Sequence, residues 1–267
     1  MIKKNVAIIG SGISGLSASL FLSDKFNIHL FEKNEILGGH TRTINVNKIN
    51  QSIPIDTGFI VFNNKNYPDL VSFFKYLDIK TQKSDMSFSV SCTNPNLEYG
   101  GKNLNTLFAQ RKNIFSIKFL SLIFEILKLY RIGRNINLET FKESLTIEEF
   151  LFNHKFSKEV RDLHIYPMIS SIWSSNIKDV KNFPFISFLQ FFNNHGLFNV
   201  GERPNWRFVS GGSYSYVSAL IKKKKFKFTT NCKIKKILRK DNKIQIINNE
   251  GKLDVFDKII LATHADQ

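Results

Sequence analysis

The first thirty residues show a short apolar run, a glycine turn and then a helical apolar pattern. Val6–Ile9 is a β-branched run of the kind that forms a buried parallel strand. Apolar residues then recur at helical spacing over residues 16–22, and strand-like alternation returns over Phe26–Phe31. The pattern therefore predicts a strand, a turn, a helix and a second strand.

The turn carries three glycines whose spacing has a physical reason. Gly10 allows the tight turn, Gly12 allows the backbone to approach a pyrophosphate, and Gly15 allows the helix to pack closely on the sheet. The first turn of the helix offers free N–H groups to phosphates. Glu32 can accept a hydrogen bond from a ribose hydroxyl, and an acid there disfavours a 2′-phosphate. A glycine turn without a ligand is the alternative to a dinucleotide site.

The pattern beyond the second strand predicts a helical insertion. Asn113–Asn135 combines a narrow polar stripe with a wide apolar face. This is typical of a buried helix or of an interfacial helix that dips into a membrane or collects a lipid. Thr146 and Glu149 form a predicted capping box at the start of a later helix. The wide apolar face is assigned to Ile114, Ile117, Leu120, Phe124, Leu127 and Ile132.

The pattern of the last part of the chain predicts further strands. Strands are expected over 226–237, a hairpin over 244–256 and a further strand over 258–262. The predicted fold class is α/β, with a Rossmann-like parallel sheet, helices, a small β-hairpin and an inserted, mainly helical domain. The predicted domains are 1–84 and 206–267 for the dinucleotide-binding part and 85–205 for an inserted substrate domain.

A second glycine motif follows Glu32 closely. The pair Gly38-Gly39 with Arg42 resembles the flavin-containing amine oxidase superfamily, which includes monoamine oxidases, phytoene desaturases and protoporphyrinogen oxidases. The resemblance implies FAD, a loop that wraps its diphosphate, and an Arg that neutralises phosphate charge. The segment 53–60 is similar to the superfamily's turn beside the flavin ring, whereas Asp56 is also suited to capping the end of a strand.

The likeness extends over almost the whole chain, to an uncharacterised bacterial subgroup described as FAD/NAD-binding or amine oxidoreductase-like. Superfamily members have a further carboxy-terminal portion, and we expect this sequence to be a fragment that lacks it. Residues 232–234 lie where members give backbone contacts to the adenine. The implied cofactor-binding residues are Gly10, Ser11, Gly12, Ser14, Gly15, Glu32, Lys33, Gly38, Gly39, His40, Thr41, Arg42, Thr57, Gly58, Phe59 and Ile234.

Composition and charge bear on the possible partners and the location of the protein, and they leave the predicted fold unchanged. The chain has 38 Lys and Arg against 22 Asp and Glu, a formal net charge of +16. Compositional drift in an A/T-rich genome and selection for a basic surface both explain this charge. No nucleic-acid-binding signature accompanies it, so no nucleic-acid partner is expected. Cys92 and Cys232 cannot form a disulfide framework, and no Cys/His spacing suits a metal. We expect a cytoplasmic protein, with membrane association as a further option.

The sequence thus predicts an FAD-dependent oxidoreductase of amine-oxidase type, with hydride transfer from substrate to flavin N5. A desaturase or saturase acting on a lipid or isoprenoid is the alternative. A non-catalytic dinucleotide-binding fragment, or a basic membrane-associated protein, is the alternative of another class. The expected partners are a small-molecule or lipid-like substrate and an electron acceptor such as O2 or a quinone. Tyr166 and His195 are candidate substrate residues, and no catalytic residue is assigned.

Overall fold

A computed structural model describes residues 3–48, 51–139, 141, 144–199, 201 and 204–266. The chain divides into two compact units. Unit 1 consists of Met1–Ser84 with Trp206–Gln267, and unit 2 consists of Asp85–Asn205. Unit 1 is α/β and unit 2 is mainly helical, which agrees with the predicted fold class.

The strands and helices follow one another along the described residues. The strands are β1 Asn5–Ile9, β2 Asn27–Phe31, β3 Thr43–Lys48, β4 Gln51–Asp56, β5 Phe62–Asn63, β6 Thr81–Lys83, β7 Ser89–Cys92, β8 Leu97–Gly100, β9 Trp206–Val209, β10 Lys227–Thr229, β11 Ile234–Lys240, β12 Lys243–Asn248, β13 Leu253–Phe256 and β14 Lys258–Leu261. The helices are α1 Ile13–Leu22, α2 Pro68–Tyr76, α3 Leu104–Leu107, α4 Ile117–Asn135, α5 Ile147–Asn153, α6 Lys158–Val160, α7 Tyr166–Trp173, α8 Ile177–Lys181, α9 Phe185–Asn194 and α10 Tyr214–Lys223.

The centre of unit 1 is a parallel sheet with the order β10-β2-β1-β14. Strand β14 pairs with β1 from Val6 opposite Lys258 to Ile9 opposite Leu261, so the end of the chain returns to its beginning as predicted. Val6 and Ile8 lie in one buried cluster of the unit, and Ala7 lies in another. Because alternate side chains point to opposite faces, this continuous apolar run is covered on both sides.

Smaller antiparallel sheets complete unit 1. Strands β11, β12 and β13 form the predicted hairpin region, with its last turn over 248–251. Strand β3 pairs with β4, and β9 lies between β5 and β6. An apolar stripe of α2 and the residue after it pack into the core of the unit, with Phe73, Phe74 and Leu77 buried.

Unit 2 is a helical cluster around its own apolar core, with the short hairpin β7–β8. The predicted capping box is confirmed, because Thr146 and the side chain of Glu149 satisfy each other's backbone N–H groups at the start of α5. Helices α6 and α7 are joined by a π-helical turn over Arg161–Ile165. No helix of the described residues combines the length and apolar character needed to cross a bilayer.

Of the two interpretations of the face predicted for α4, the buried helix was wrong, and the interfacial helix stays a prediction. The helix begins at Ile117 after a 3₁₀ turn over Arg111–Phe115, with the Ser116 side chain as its cap. Both sides of this helix are apolar, and only one can pack on the core. The side chains of α4 that are buried are Phe119, Leu122, Ile126, Leu129 and Tyr130. Of the predicted face, Ile114, Ile117, Phe124 and Leu127 are exposed and Leu120 and Ile132 are half-buried.

A buried histidine lies in the π-helical turn of unit 2. His164 Nδ1 lies 2.8 Å from the Tyr99 hydroxyl, and Nε2 has no hydrogen-bond partner in the described part of the chain. Burial lowers the pKa of His164 to about 4, from an ordinary value of 6.5. The folded protein therefore holds His164 neutral at pH values where the unfolded chain already binds a proton.

We expect this histidine to make the stability of the protein pH-dependent. Between pH 6.5 and about 4 the unfolded state binds more protons than the folded state, so the free energy of unfolding falls as pH falls. The loss over that window is about 3 kcal/mol for this group. Urea unfolding at several pH values checks it. His164→Asn cannot titrate there, so an equal slope in that variant would contradict the assignment.

Candidate functional site

A large cleft in unit 1 brings the glycine turn together with three other segments. Its volume is about 2030 Å³, and it is lined by residues of the β1–α1 turn, the end of β2, the loop 38–41 and the start of β11. Ligand pockets commonly measure about 300–1,000 Å³. This cleft is therefore long enough for a ligand built of several joined groups, such as a dinucleotide.

The geometry of the glycine turn suits such a ligand. Gly10 has φ +99°, and a Cβ there would lie 2.6 Å from the Ala262 carbonyl oxygen. A Cβ on Gly15 would lie 1.8 Å from the Gly10 carbonyl oxygen, so α1 packs on this turn only through glycine. Nothing lies within 4 Å of the Cβ position of Gly12. The backbone beside Gly12 is thus open to a ligand.

The start of α1 is open to the same space. Gly12 is its N-cap residue, so no side chain satisfies the first N–H groups of the helix. The first turn of any helix leaves such N–H groups without intrahelical partners, and they carry the positive end of the helix dipole. An anion such as a diphosphate fits this end of the cleft.

Glu32 is held at the end of β2 by the chain's own donors. Its Oε2 accepts hydrogen bonds from the N–H and hydroxyl groups of Ser11, and its Oε1 accepts one from the Asn34 N–H at 2.9 Å. The side chain is almost fully buried, and Cys232 N–H donates to the Glu32 carbonyl oxygen at 2.8 Å. A carboxylate has about four lone-pair sites, so beyond these three donors it can still accept from a ribose hydroxyl.

The loop 38–41 is anchored at both ends. Gly38 N–H donates to the Ser11 carbonyl oxygen at 3.0 Å, which ties the loop to the glycine turn. The Thr41 hydroxyl lies 2.5 Å from the Tyr216 hydroxyl of α10, and both side chains are buried. Burial raises the pKa of Tyr216, and its bond to Thr41 opposes that shift. This loop is therefore a fixed wall of the cleft.

Asp56, whose role the sequence left open, binds Ser213, the residue that follows Gly211 and Gly212. Its Oδ1 accepts from the Ser213 N–H at 2.9 Å and from the Ser213 hydroxyl at 2.8 Å, directly before α10. It also accepts from the Thr43 hydroxyl of β3 at 2.5 Å. Asp56 thus holds the N-cap residue of α10, and Thr43 accepts from the Tyr214 N–H, so the start of α10 is tied to the hairpin β3–β4.

Most predicted cofactor residues meet in this cleft. Those that line it are Gly10, Ser11, Gly12, Ser14, Glu32, Lys33, Gly38, Gly39, His40, Thr41, Phe59 and Ile234. Gly15 lies beneath the turn. Arg42, Thr57 and Gly58 are exposed and do not line the cleft. At Gly58 a Cβ would lie 1.9 Å from the His40 carbonyl oxygen, so this glycine lets two loops approach. A direct cofactor role stays a prediction for all of these residues, including those that line the cleft.

The two candidate substrate residues lie in unit 2. Tyr166 is 1% exposed and belongs to the apolar core. His195 stacks on the Phe191 ring at 4.0 Å, and its Nδ1 lies 2.9 Å from the Phe191 carbonyl oxygen. Both have the surroundings of packed structural residues, and their substrate role stays a prediction.

Several residues of the cleft were not predicted from the sequence. Tyr216 and the aromatic side chains of Phe21, Phe73 and Tyr76 line it. Aromatic residues are frequent along the whole chain, so composition gave no signal for them. Within the described residues, no group of three or more His, Cys, Asp or Glu side chains could hold a metal ion.

Several solved structures share this fold. Wild-type putrescine oxidase bound to putrescine has a TM-score of 0.70 and 16% identity, over 98% of this chain and 58% of that chain. Cyclohexylamine oxidase from Brevibacterium oxydans IH-35A has a TM-score of 0.71 and 16% identity, over 98% and 58%. A CLA-producing fatty acid isomerase from P. acnes has a TM-score of 0.65 and 16% identity, over 97% and 59%. The chain thus spans less than two thirds of the length of these relatives.

The family comparison covers nearly the whole chain. The search of curated proteins finds no match to this chain. The family model described as flavin containing amine oxidoreductase matches residues 13–267. This match confirms the resemblance predicted from the glycine motifs, and the flavin of the family confirms the prediction of FAD as cofactor. The chain belongs to the flavin-containing amine oxidoreductase family.

Proposed function

We propose that the protein is an FAD-dependent oxidoreductase of amine-oxidase type and that the cleft of unit 1 holds the cofactor. The observation that carries the proposal is the uncapped start of α1, which opens on the cleft beside Gly12. The family match supports the same conclusion. The cytoplasmic location stays a prediction.

The residues of the cleft have separate tasks in this proposal. The N–H groups at the start of α1 bind the diphosphate, and Glu32 accepts from the adenosine ribose. The fixed loop 38–41 closes one side of the cleft, and Ile234 and its neighbours line the part of the cleft that would border the adenine. When bound, FAD would supply a hydride acceptor at N5, with O2 or a quinone as the expected final electron acceptor. The protein's part is to hold and orient the ring and to exclude water.

The first choice of substrate is a small amine. Two of the similar structures, putrescine oxidase and cyclohexylamine oxidase, are named for amine oxidation. The second choice is a lipid or isoprenoid that undergoes desaturation or saturation. Helix α4 exposes large apolar side chains that a lipid can contact. This observation favours a lipid or isoprenoid as the second candidate substrate. A non-catalytic dinucleotide-binding protein is the alternative of another class.

Titration of the purified chain with FAD tests this proposal directly. We expect tight binding, with the absorption bands of protein-bound flavin and a change in flavin fluorescence. NADP should not compete, because the carboxylate of Glu32 disfavours a 2′-phosphate. A folded chain that binds no FAD would contradict the site. Anaerobic addition of small amines or unsaturated lipids to the flavin-loaded protein then separates the substrates, since only a substrate bleaches the flavin. Bound flavin that no compound bleaches favours the non-catalytic alternative.

A further inference from the structure

Helix α4 and the turn before it present an apolar surface to solvent. Phe115, Ile117 and Phe124 are 87%, 84% and 70% exposed. Ile117 and Phe124 lie seven residues apart, which is about two helical turns, so both are on one side of the helix. Ile114 and Leu127 are each 42% exposed and extend the surface. We call these five residues the apolar face. Contiguous exposed apolar patches of this kind mark interaction sites.

The opposite side of the helix fixes the orientation of this face. Phe119, Leu122 and Leu129 are buried in the core of unit 2. Near the end of the helix, a Cβ on Gly133 would lie 2.5 Å from the ring of Phe198, so the helix packs closely there. A rotation that hid Phe124 would expose the buried row. The exposure is therefore a consequence of how α4 packs in its unit.

Basic side chains surround the apolar face. Arg111 and Lys112 precede it, Lys118 lies beside it, and Arg131 and Arg134 follow along the same helix; all five are exposed. An apolar patch bordered by Lys and Arg is the pattern of helices that lie in the surface of anionic membranes.

Two charged side chains of α4, Glu125 and Lys128, are hydrogen-bonded within unit 2. Glu125 is the only acidic residue in residues 111–135. Its carboxylate accepts a hydrogen bond from the Ser157 N–H at 2.7 Å. Lys128 donates to the His154 carbonyl oxygen at 2.7 Å and lies over the Phe156 ring. Five exposed basic side chains thus accompany a single acid within residues 111–135, and of the five Arg111 also donates to the Asn105 and Phe108 carbonyl oxygens.

We propose that the apolar face of α4 binds the protein peripherally to bilayers with anionic headgroups. The apolar side chains enter the boundary between headgroups and acyl chains, and the five basic side chains contact phosphate groups. The net charge of +16 adds a long-range attraction to such a surface. The proposal rests on unit 2 and is independent of the cofactor site.

Charge also decides against a second copy of the chain as the occupant. A two-fold contact places the same patch on both partners. It would bring Arg111, Lys112, Lys118, Arg131 and Arg134 of one copy close to the same residues of the other. Like charges across an interface disfavour that contact. An anionic bilayer satisfies both the apolar and the basic side chains.

Co-sedimentation of the purified chain with vesicles tests the proposal. One set contains phosphatidylcholine alone, and the other contains equal parts of phosphatidylcholine and phosphatidylglycerol. We expect binding to the mixed vesicles to be at least about tenfold stronger than to phosphatidylcholine, and to weaken as salt is added. Ile117→Ser and Phe124→Ser should each weaken binding by about tenfold. Arg131→Gln combined with Arg134→Gln should reduce the preference for the mixed vesicles.

A matched substitution outside the apolar face tests whether removing any exposed apolar side chain weakens vesicle binding. Ile177 is 47% exposed at the start of α8 in the same unit. Ile177→Ser should bind vesicles like the wild type. Phe124→Trp reports insertion, because its added fluorescence should shift to the blue on mixed vesicles and be quenched by brominated acyl chains. These substitutions are at exposed positions, and circular dichroism verifies that each variant is folded.

Three outcomes would overturn the proposal. The first is a folded chain that does not sediment with the mixed vesicles. The second is equal binding by Ile117→Ser, Phe124→Ser and the wild type, which would assign binding to the general charge of the protein. The third is a concentration-dependent dimer that Ile117→Ser dissociates, which would make a second copy the occupant.

Discussion

Gly12→Glu is expected to fold like the wild type and to retain no FAD. Nothing lies within 4 Å of the Cβ position, and φ is −62°, so the new side chain extends into open space without strain. That space is the cleft beside the start of α1. The carboxylate would occupy the position of an anion and repel a diphosphate, at a cost of several kcal/mol, which corresponds to at least about a hundredfold loss of affinity.

We expect Gly12→Glu to lose FAD binding without losing stability. A negative charge at the start of a helix is favourable by about 0.3–1 kcal/mol. The melting temperature should therefore stay the same or rise while flavin binding disappears. Gly12→Lys separates bulk from charge, since its ammonium group attracts phosphate and should weaken binding less. FAD titration with thermal melts of both variants is the measurement. Equal FAD binding by Gly12→Glu and the wild type would move the cofactor elsewhere.

Those parts of unit 1 that a local pattern specifies were predictable. The β-branched run, the glycines and the following helix lie within 22 residues, and each local preference agrees with the parallel sheet that forms. The return of β14 to β1 was predictable only because the resemblance supplied the partner strand. Periodicity by itself does not say which strands are neighbours.

The support of the cleft was not predictable, because it depends on distant side chains. Thr41 meets Tyr216 across 175 positions, and Asp56 meets Ser213 across 157 positions. No local spacing connects such pairs. The buried side of α4 was not predictable for a different reason. Apolar residues occur on both sides of that helix, and the packing of unit 2 selects the side with Phe119 and Leu122.

Gly15→Ala is expected to destabilise unit 1 by about 4 kcal/mol or more, a size reserved for severe packing defects. Helix propensity alone predicts the opposite sign, because Ala in a helix is about 1 kcal/mol better than Gly. The added Cβ would lie 1.8 Å from the Gly10 carbonyl oxygen and 3.3 Å from the Cβ of Ala262. The first contact is with backbone, so α1 must move away from β1 and from the return strand.

Denaturant unfolding of Gly15→Ala and Gly12→Ala separates these two effects. Gly12→Ala adds the same atom three residues earlier, where nothing lies within 4 Å, so its cost should be limited to the poorer N-cap residue, about 1 kcal/mol. Trp206 lies in unit 1 and Trp173 in unit 2, so single-tryptophan versions report each unit by itself. We expect the transition of Trp206 to move to much lower denaturant in Gly15→Ala. A stabilised Gly15→Ala would show that helix propensity outweighs the contact, and α1 would then not need glycine to pack on the sheet.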